Sequence, residues 1–254
     1  MLKGIDVSNW QESVDWPAVA ASGVRFAFMK STEDPDFYDR WFKANWEGSK
    51  AAGLVRGAYH FAQPSKASPS ASVSMLESSL SFVGGLQPGD LIALDIESGN
   101  GDGNEDLSVW VAEWCDLAER VFGVRPFIYS GHWFMEPHGL EIDFLGKYPL
   151  WYASYQETEP PPPYGWHDIT VWQNSASATV PGVKGDCDTN VFAGTVDELR
   201  ALGYQGGAVV DPPVDPVTAL RDATWRLAGD WAAAGYPWTA EGLRAIVALN
   251  KGEK

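Results

Sequence analysis

Cysteine is scarce in this chain: only Cys115 and Cys187 occur among 254 residues. At most one disulfide can form, which excludes a cysteine-stapled scaffold. Cys115 falls in an apparent helix and Cys187 in an apparent loop beside Asp188, and nothing in these positions demands a bridge, so two free thiols are expected. His60, His132, His138 and His167 are scattered, and no Cys/His metal spacing is present. No catalytic metal and no cofactor are expected. Positive charge is also short, with 18 Lys and Arg against 34 Asp and Glu and a formal net charge of -16. That balance argues against nucleic acid and anionic membranes as partners. No apolar run reaches transmembrane length. The opening Met1-Leu2-Lys3-Gly4-Ile5-Asp6 has no apolar signal segment, so accumulation in the cytoplasm is expected.

What the chain does have is apolar and aromatic mass. It is 45% hydrophobic and 13% aromatic, with 13 Trp, enough for a large core. Such rings serve equally as core or as platforms for sugars. Residues 1–194 alternate between strand-like and helix-like segments, the signature of an α/β fold. Strands are expected at 4–7, 24–30, 54–59, 91–97 and 126–130, with helices near 17–22, 38–52, 70–83 and 107–122 between them. Trp41, Trp46 and Ala51 are the expected inner residues of the second helix. Beyond residue 130 the helices fade. Two further strands, 150–155 and 169–172, flank a proline-rich loop at 159–163. The pattern suggests a barrel of parallel strands with a degraded second half, whose active site would gather at the C-terminal strand ends. Asp6, Lys30, Tyr59, Glu97, Ser130 and Tyr155 all fall near those ends.

The barrel is expected over 1–208, a stiff Pro-rich linker over 209–217, and a small helical module over 218–254. From Asp215 onward acidic and basic residues balance, so the barrel carries the acid excess. Gly235-Tyr236-Pro237 should separate two helices in the module, which is expected to target a wall or to self-associate.

The most telling stretch is Leu91-Ile92-Ala93-Leu94-Asp95-Ile96-Glu97. Side chains alternate along a strand, so Asp95 and Glu97 point the same way with Cα atoms ~6–7 Å apart. Two carboxylates so placed suit the paired roles of glycoside hydrolysis. The competing reading is a salt-bridged Glu and a helix-capping Asp.

A series of ordered fragments resembles the family 25 glycoside hydrolases, the Chalaropsis-type lysozymes of bacteria and phage endolysins. They are Gly4-Ile5-Asp6-Val7-Ser8-Asn9-Trp10-Gln11, Phe28-Met29-Lys30-Ser31-Thr32-Glu33, Gly57-Ala58-Tyr59-His60-Phe61, Leu94-Asp95-Ile96-Glu97, Pro126-Phe127-Ile128-Tyr129-Ser130, Leu150-Trp151-Tyr152-Ala153, Trp172-Gln173 and 185–192. The resemblance implies an irregular (β/α)5(β)3 TIM-like barrel. It also implies cleavage of the β-1,4 bond between N-acetylmuramic acid and N-acetylglucosamine in bacterial peptidoglycan. Glu97 would be the general acid and Asp95 its partner, with Asp6 and Asp188 completing the acidic cluster. Asp186 rivals Asp188, but the family pattern favours the aspartate two residues before Asn190. One departure is Asp34, which follows Glu33 where family members often have Gly.

Around these acids, Lys30, Tyr59, Tyr129, Trp151 and Gln173 are candidate substrate contacts. Each has a plainer alternative: Lys30 snorkelling from a strand end, the tyrosines packing the barrel rim, Trp151 filling the core. Asp6 could cap a loop, and Asp188 could form an Asx-turn. His60 is expected to satisfy a hydrogen bond in the barrel. The alternatives at the level of function are a chitin-cleaving enzyme on the same barrel and a non-catalytic glycan-binding protein.

Overall fold

The computed structural model describes residues 1–99 and 106–206. The expected linker and helical module, and most of the loop between Gly99 and Asp106, lie outside the described residues. Among the described residues the chain runs β1 (Leu2–Val7), α1 (Trp16–Ala21), β2 (Val24–Glu33), β3 (Phe37–Tyr38), α2 (Phe42–Ala51), β4 (Val55–Phe61), α3 (Pro69–Phe82), β5 (Leu91–Asp95), α4 (Ser108–Phe122), β6 (Phe127–Gly131), α5 (His132–Met135), β7 (Leu150–Ala153), β8 (Val171–Ala178), β9 (Cys187–Phe192) and α6 (Val196–Ala201).

Local chemistry sets these boundaries. The Asp15 carboxylate accepts from Ala18 N at the start of α1, and Ser68 Oγ accepts from Ala71 N at the start of α3. Both helices place Pro in the first turn, where its missing N–H costs nothing. Gly123 closes α4 at φ 65°, a left-handed conformation that glycine adopts without strain. Thr195 and Glu198 form a reciprocal capping box on α6.

The strands close in the order β1, β2, β4, β5, β6, β7, β8, β9 and back to β1, with β3 appended to the edge of β2. Every neighbour from β1 round to β8 is parallel, whereas β9 runs antiparallel to both β8 and β1. A parallel return needs a crossover of a dozen or more residues. The segment from Ala178 to Cys187 is too short for one, so the chain turns back on itself. The outcome is the α/β, TIM-like barrel expected from the sequence, with helices thinning after β6.

Alternation sorts each strand into two layers. Phe26, Phe28, Val55, Tyr59, Leu91, Ala93, Phe127, Tyr129, Trp151, Val171 and Phe192 fill the barrel interior. Ala27, Met29, Ala58, Ile92, Leu94 and Ile128 face the helices, where Trp46, Leu76, Trp114 and Ala118 cover them. Gly4 is required here: a Cβ would run into the Phe26 ring. At ~25 cal/mol per Å² of apolar surface, each large interior ring contributes on the order of 2–3 kcal/mol.

Four local expectations are corrected. Cys187 and Asp188 lie on a strand rather than in a loop or Asx-turn. The helix expected from Tyr38 begins at Phe42, because Phe37–Tyr38 first pair back onto Thr32–Glu33. On that helix Trp46 is buried, but Ala51 is exposed. Finally, β5 ends at Asp95, although Ile96 N still donates to Tyr129 O at 3.0 Å, which prolongs the extended path to Glu97. Both cysteines are buried free thiols.

Candidate active site

The strand periodicity that fills the interior with rings places Asp6, Lys30, Asp95, Gln173, Asp188 and Asn190 at the C-terminal mouth of the barrel. Asp6 is the penultimate residue of β1 and faces Asp188 of β9 in register. Asp6 Oδ2 accepts from Asn190 Nδ2 at 2.8 Å and from Gln173 Nε2 at 3.0 Å. Gln173 Oε1 accepts in turn from the Tyr129 and Tyr155 hydroxyls, both at 2.9 Å. Asn190 Oδ1 accepts from Trp151 Nε1 at 2.7 Å. The two amides thus receive donors from rings and give donors to one carboxylate, which fixes the side-chain orientation of both.

Burial holds Asp6 well above the usual carboxylate range, and the neighbouring Asp188 charge pushes the same way. Asp188 is raised as well, by burial, with its hydrogen bond from Asp6 acting in the opposite direction. Burial and mutual repulsion thus disfavour ionisation of both members of this pair at once.

Across the mouth, Asp95 is buried and Glu97 follows two residues later. Burial raises Asp95 well above its ordinary value, and Glu97 adds repulsion; Lys30 partly counters both. Glu97 is raised by burial and by Asp188, again against Lys30. Lys30 is held by Glu33 Oε2 at 2.6 Å and lies over the Phe61 ring, 4.5 Å from its centroid. Gln63 Nε2 donates to the other Glu33 oxygen. Asp95 Oδ1 is buried without a hydrogen-bond partner. A buried carboxylate oxygen in that state costs about 1–3 kcal/mol.

The arrangement joins two adjacent carboxyl groups, Asp95 and Glu97, with the Asp6–Asp188 pair opposite, all four raised. Tyr59 and Tyr129 are buried near these acids, whose charges add to burial in raising both hydroxyls. Trp151 is 1% exposed and stacks on Phe28 at 4.2 Å between centroids. It forms the floor under the site and steers Asn190. Ser130 and Asp186 stand apart from the acids: Ser130 Oγ donates to Ile96 O, and Asp186 is exposed ahead of β9. His60 bonds Thr32 Oγ1 through Nδ1 at 2.8 Å on the helix side of the sheet, as expected of a structural histidine. Asp34 is buried there too, accepting from Ser72 Oγ and Gln63 N, so the departure after Glu33 ties the β2 loop to α3. Asn190 was not singled out from sequence; its signal was the period-two spacing from Asp188.

The profile of "Glycosyl hydrolases family 25" matches residues 5–183. The chain belongs to glycoside hydrolase family 25. Lysozyme M1 of Streptomyces globisporus is 34% identical over 211 residues, covering 79% of this chain and 71% of the relative. The N,O-diacetylmuramidase of a Chalaropsis species is 28% identical over 216 residues, covering 79% and 98%. The bacterial lysozyme structure from Streptomyces coelicolor superposes with a TM-score of 0.73 at 31% identity, covering 80% of this chain and 97% of that one. A family 25 chain is a glycoside hydrolase, and glycoside hydrolysis commonly uses paired carboxyl groups. The family match ends before β9, so the placement of Asp188 rests on its register with Asp6.

Proposed function

We propose that this family 25 hydrolase cleaves the β-1,4 bond between N-acetylmuramic acid and N-acetylglucosamine in bacterial peptidoglycan. The observation that carries the reading is Asp95: buried, adjacent to Glu97, with Oδ1 unpartnered. In this reading the Asp95 carboxyl orients a sugar bearing a 2-acetamido group by accepting its amide N–H. Oriented so, the acetamido carbonyl oxygen attacks the anomeric carbon. The bond from that carbon to the leaving oxygen breaks as Glu97 delivers its proton to the oxygen. Water then adds to the cyclic intermediate and gives a proton back to the Glu97 carboxylate, so one water is consumed and the anomeric configuration is retained. Asp6 and Asp188 hold the opposite wall of the site. Names of similar proteins, lysozyme and N,O-diacetylmuramidase, support the choice of substrate.

Mass spectrometry of digested peptidoglycan tests the bond. New reducing ends should be N-acetylmuramic acid; reducing N-acetylglucosamine alone would overturn the assignment. NMR of the first-formed anomer tests the route, since an inverted product refutes acetamido participation. The biological setting we infer is phage-driven lysis of the host wall. Cells expressing the chain internally should stay intact until their membrane is permeabilised, then lyse.

A further inference from the structure

On the helix side of the sheet lies a buried polar cluster that the chemistry above does not use. Asp34, just past the end of β2, is 2% exposed, and His60 on β4 is fully buried. Ser72 Oγ on α3 lies 2.8 Å from both oxygens of the Asp34 carboxylate. Gln63 N donates to Oδ2 at 3.1 Å, and His60 Nε2 stands 3.2 Å from the same oxygen. The other ring nitrogen of His60 meets Thr32 Oγ1 at 2.8 Å. A proton on Nε2 suits the carboxylate and leaves Nδ1 to accept from the threonine hydroxyl. Placing an acid and an imidazole away from water is unfavourable unless both are engaged, and here both are.

What Asp34 grips is the end of β4, and the same few residues support the acids. Asp34 N donates to Phe61 O at 3.2 Å, and Asp34 Oδ2 accepts from Gln63 N. Between these two bonds, Ala62 N donates to Asp95 O at 2.8 Å. Residues 61–63 are thus held by Asp34 on one side and by Asp95 on the other, and Phe61 pairs with both Glu33 and Asp95 in the sheet. The Gln63 side chain extends the line. Its Nε2 donates to Glu33 Oε1, and Glu33 Oε2 holds Lys30 Nζ at 2.6 Å. A lysine ammonium is a point charge on a flexible stem, so its place depends on what holds it. The titratable groups acting on Lys30 are Glu33 on β2, Asp39 after β3, Asp95 on β5 and Glu97 beyond it. Its charge lowers Asp95 and Glu97 against the effect of burial, and that influence weakens with distance.

We infer that Asp34 is a positioning residue for the acid pair: by fixing Gln63 it orients Glu33, and through Glu33 it fixes the ammonium of Lys30 against Asp95 and Glu97. The inference rests on the acid roles proposed above for Asp95 and Glu97. A brace that served only the fold would, when lost, lower stability and leave the ionisation of the acids in place. The relay has a further consequence. Once Gln63 is released, Glu33 turns away and Lys30 follows it, so both acids lose a compensating charge and rise. The sign is diagnostic, because loss of a nearby negative charge by itself would lower them. The effect passes through Lys30, so it vanishes where Lys30 carries no charge.

The test measures kcat/KM of the full chain against pH on soluble glycan strands of peptidoglycan, with urea unfolding alongside. Asp34→Ala should move both limbs of the profile to higher pH by about 0.5 unit, roughly a three-fold change in the ionised-to-protonated ratio of each acid at fixed pH. Asp34→Asn should stay within about 0.2 unit of the wild type. Its amide oxygen can accept from Gln63 N while its NH2 group donates to Ser72 Oγ. In a Lys30→Met background, Asp34→Ala should add no further shift. Gln63 is half-buried, so Gln63→Met cuts the relay without opening the core. It should shift the limbs as Asp34→Ala does, and it decides the matter if Asp34→Ala does not fold. Ser78→Ala, on the exposed face of α3, should leave the profile as in the wild type. Limbs that stay in place or move to lower pH, in folded Asp34→Ala or in Gln63→Met, overturn the inference and leave the proposed function standing. A shift that persists in the Lys30→Met background also overturns it. Failure of the wild type to cleave any strand sinks the proposed function, and this inference with it.

Discussion

Asp6 and Asp188 sit directly opposite each other in the antiparallel β1–β9 pair, two carboxylates in register where a barrel would otherwise place a neutral pair. Both are raised, as are Asp95 and Glu97 on the far side. A carboxyl whose folded value exceeds its unfolded value binds more protons in the native state. Its stabilising effect is then complete at acid pH and is lost as pH climbs through the folded value. The barrel should therefore resist urea better near pH 5 than near pH 8. Midpoints measured across that range check the sign; a midpoint that rises steadily with pH refutes it.

Glu97→Gln keeps the shape of the acid and removes its proton. Turnover should fall by about 10²–10⁴-fold, with thermal unfolding within a degree or two of wild type. Peptidoglycan turbidity assays alongside calorimetry separate the two effects, and undiminished lysis would dismiss Glu97 as the acid.

Asp95→Asn should move stability and activity in opposite directions. The amide relieves the repulsion from Glu97 and the cost of burying charge, so the variant should gain about 1–2 kcal/mol at pH 7–8. Turnover should collapse, because an amide cannot hold the acetamido N–H as a carboxylate does. Loss of stability together with loss of activity would mean that Asp95 serves the fold.

Lys30 lowers the values of both Asp95 and Glu97. Lys30→Met should let both rise, moving the whole bell-shaped profile of kcat/KM to higher pH. A pH-rate profile in which only the height changes would restrict Lys30 to substrate binding.

How much of this was legible beforehand varies residue by residue. Asp95 and Glu97 stood out because they interrupt an apolar strand at matching phase. Asp6 was visible as an acid ending the first strand. Asp188 was assigned through family likeness, while its local structure was misread, since Gly185-Asp186-Cys187-Asp188 has turn chemistry. The inward face of β9 is polar, Asp188 and Asn190, so the hydrophobic alternation that marks a half-buried strand is reversed there. Trp151 was uncertain because both faces of a barrel strand are buried, and hydropathy does not say whether a ring looks inward or outward. The two-residue β3 is below what any periodicity detects. The helix after β4 and the one after β5, by contrast, were readable to within a residue or so, because each spans several turns of 3.6-residue repeat.

The antiparallel return of β9 has a consequence in time. The residues of β1 leave the ribosome almost two hundred residues before those of β9, yet Asp6 gains its partners Asn190 and Asp188 only when they meet. A nascent chain that already contains Glu97 and Asp95 still lacks one wall of the barrel mouth. The barrel is thus closed by β9, and a product that stops short of it lacks Asp188 and Asn190.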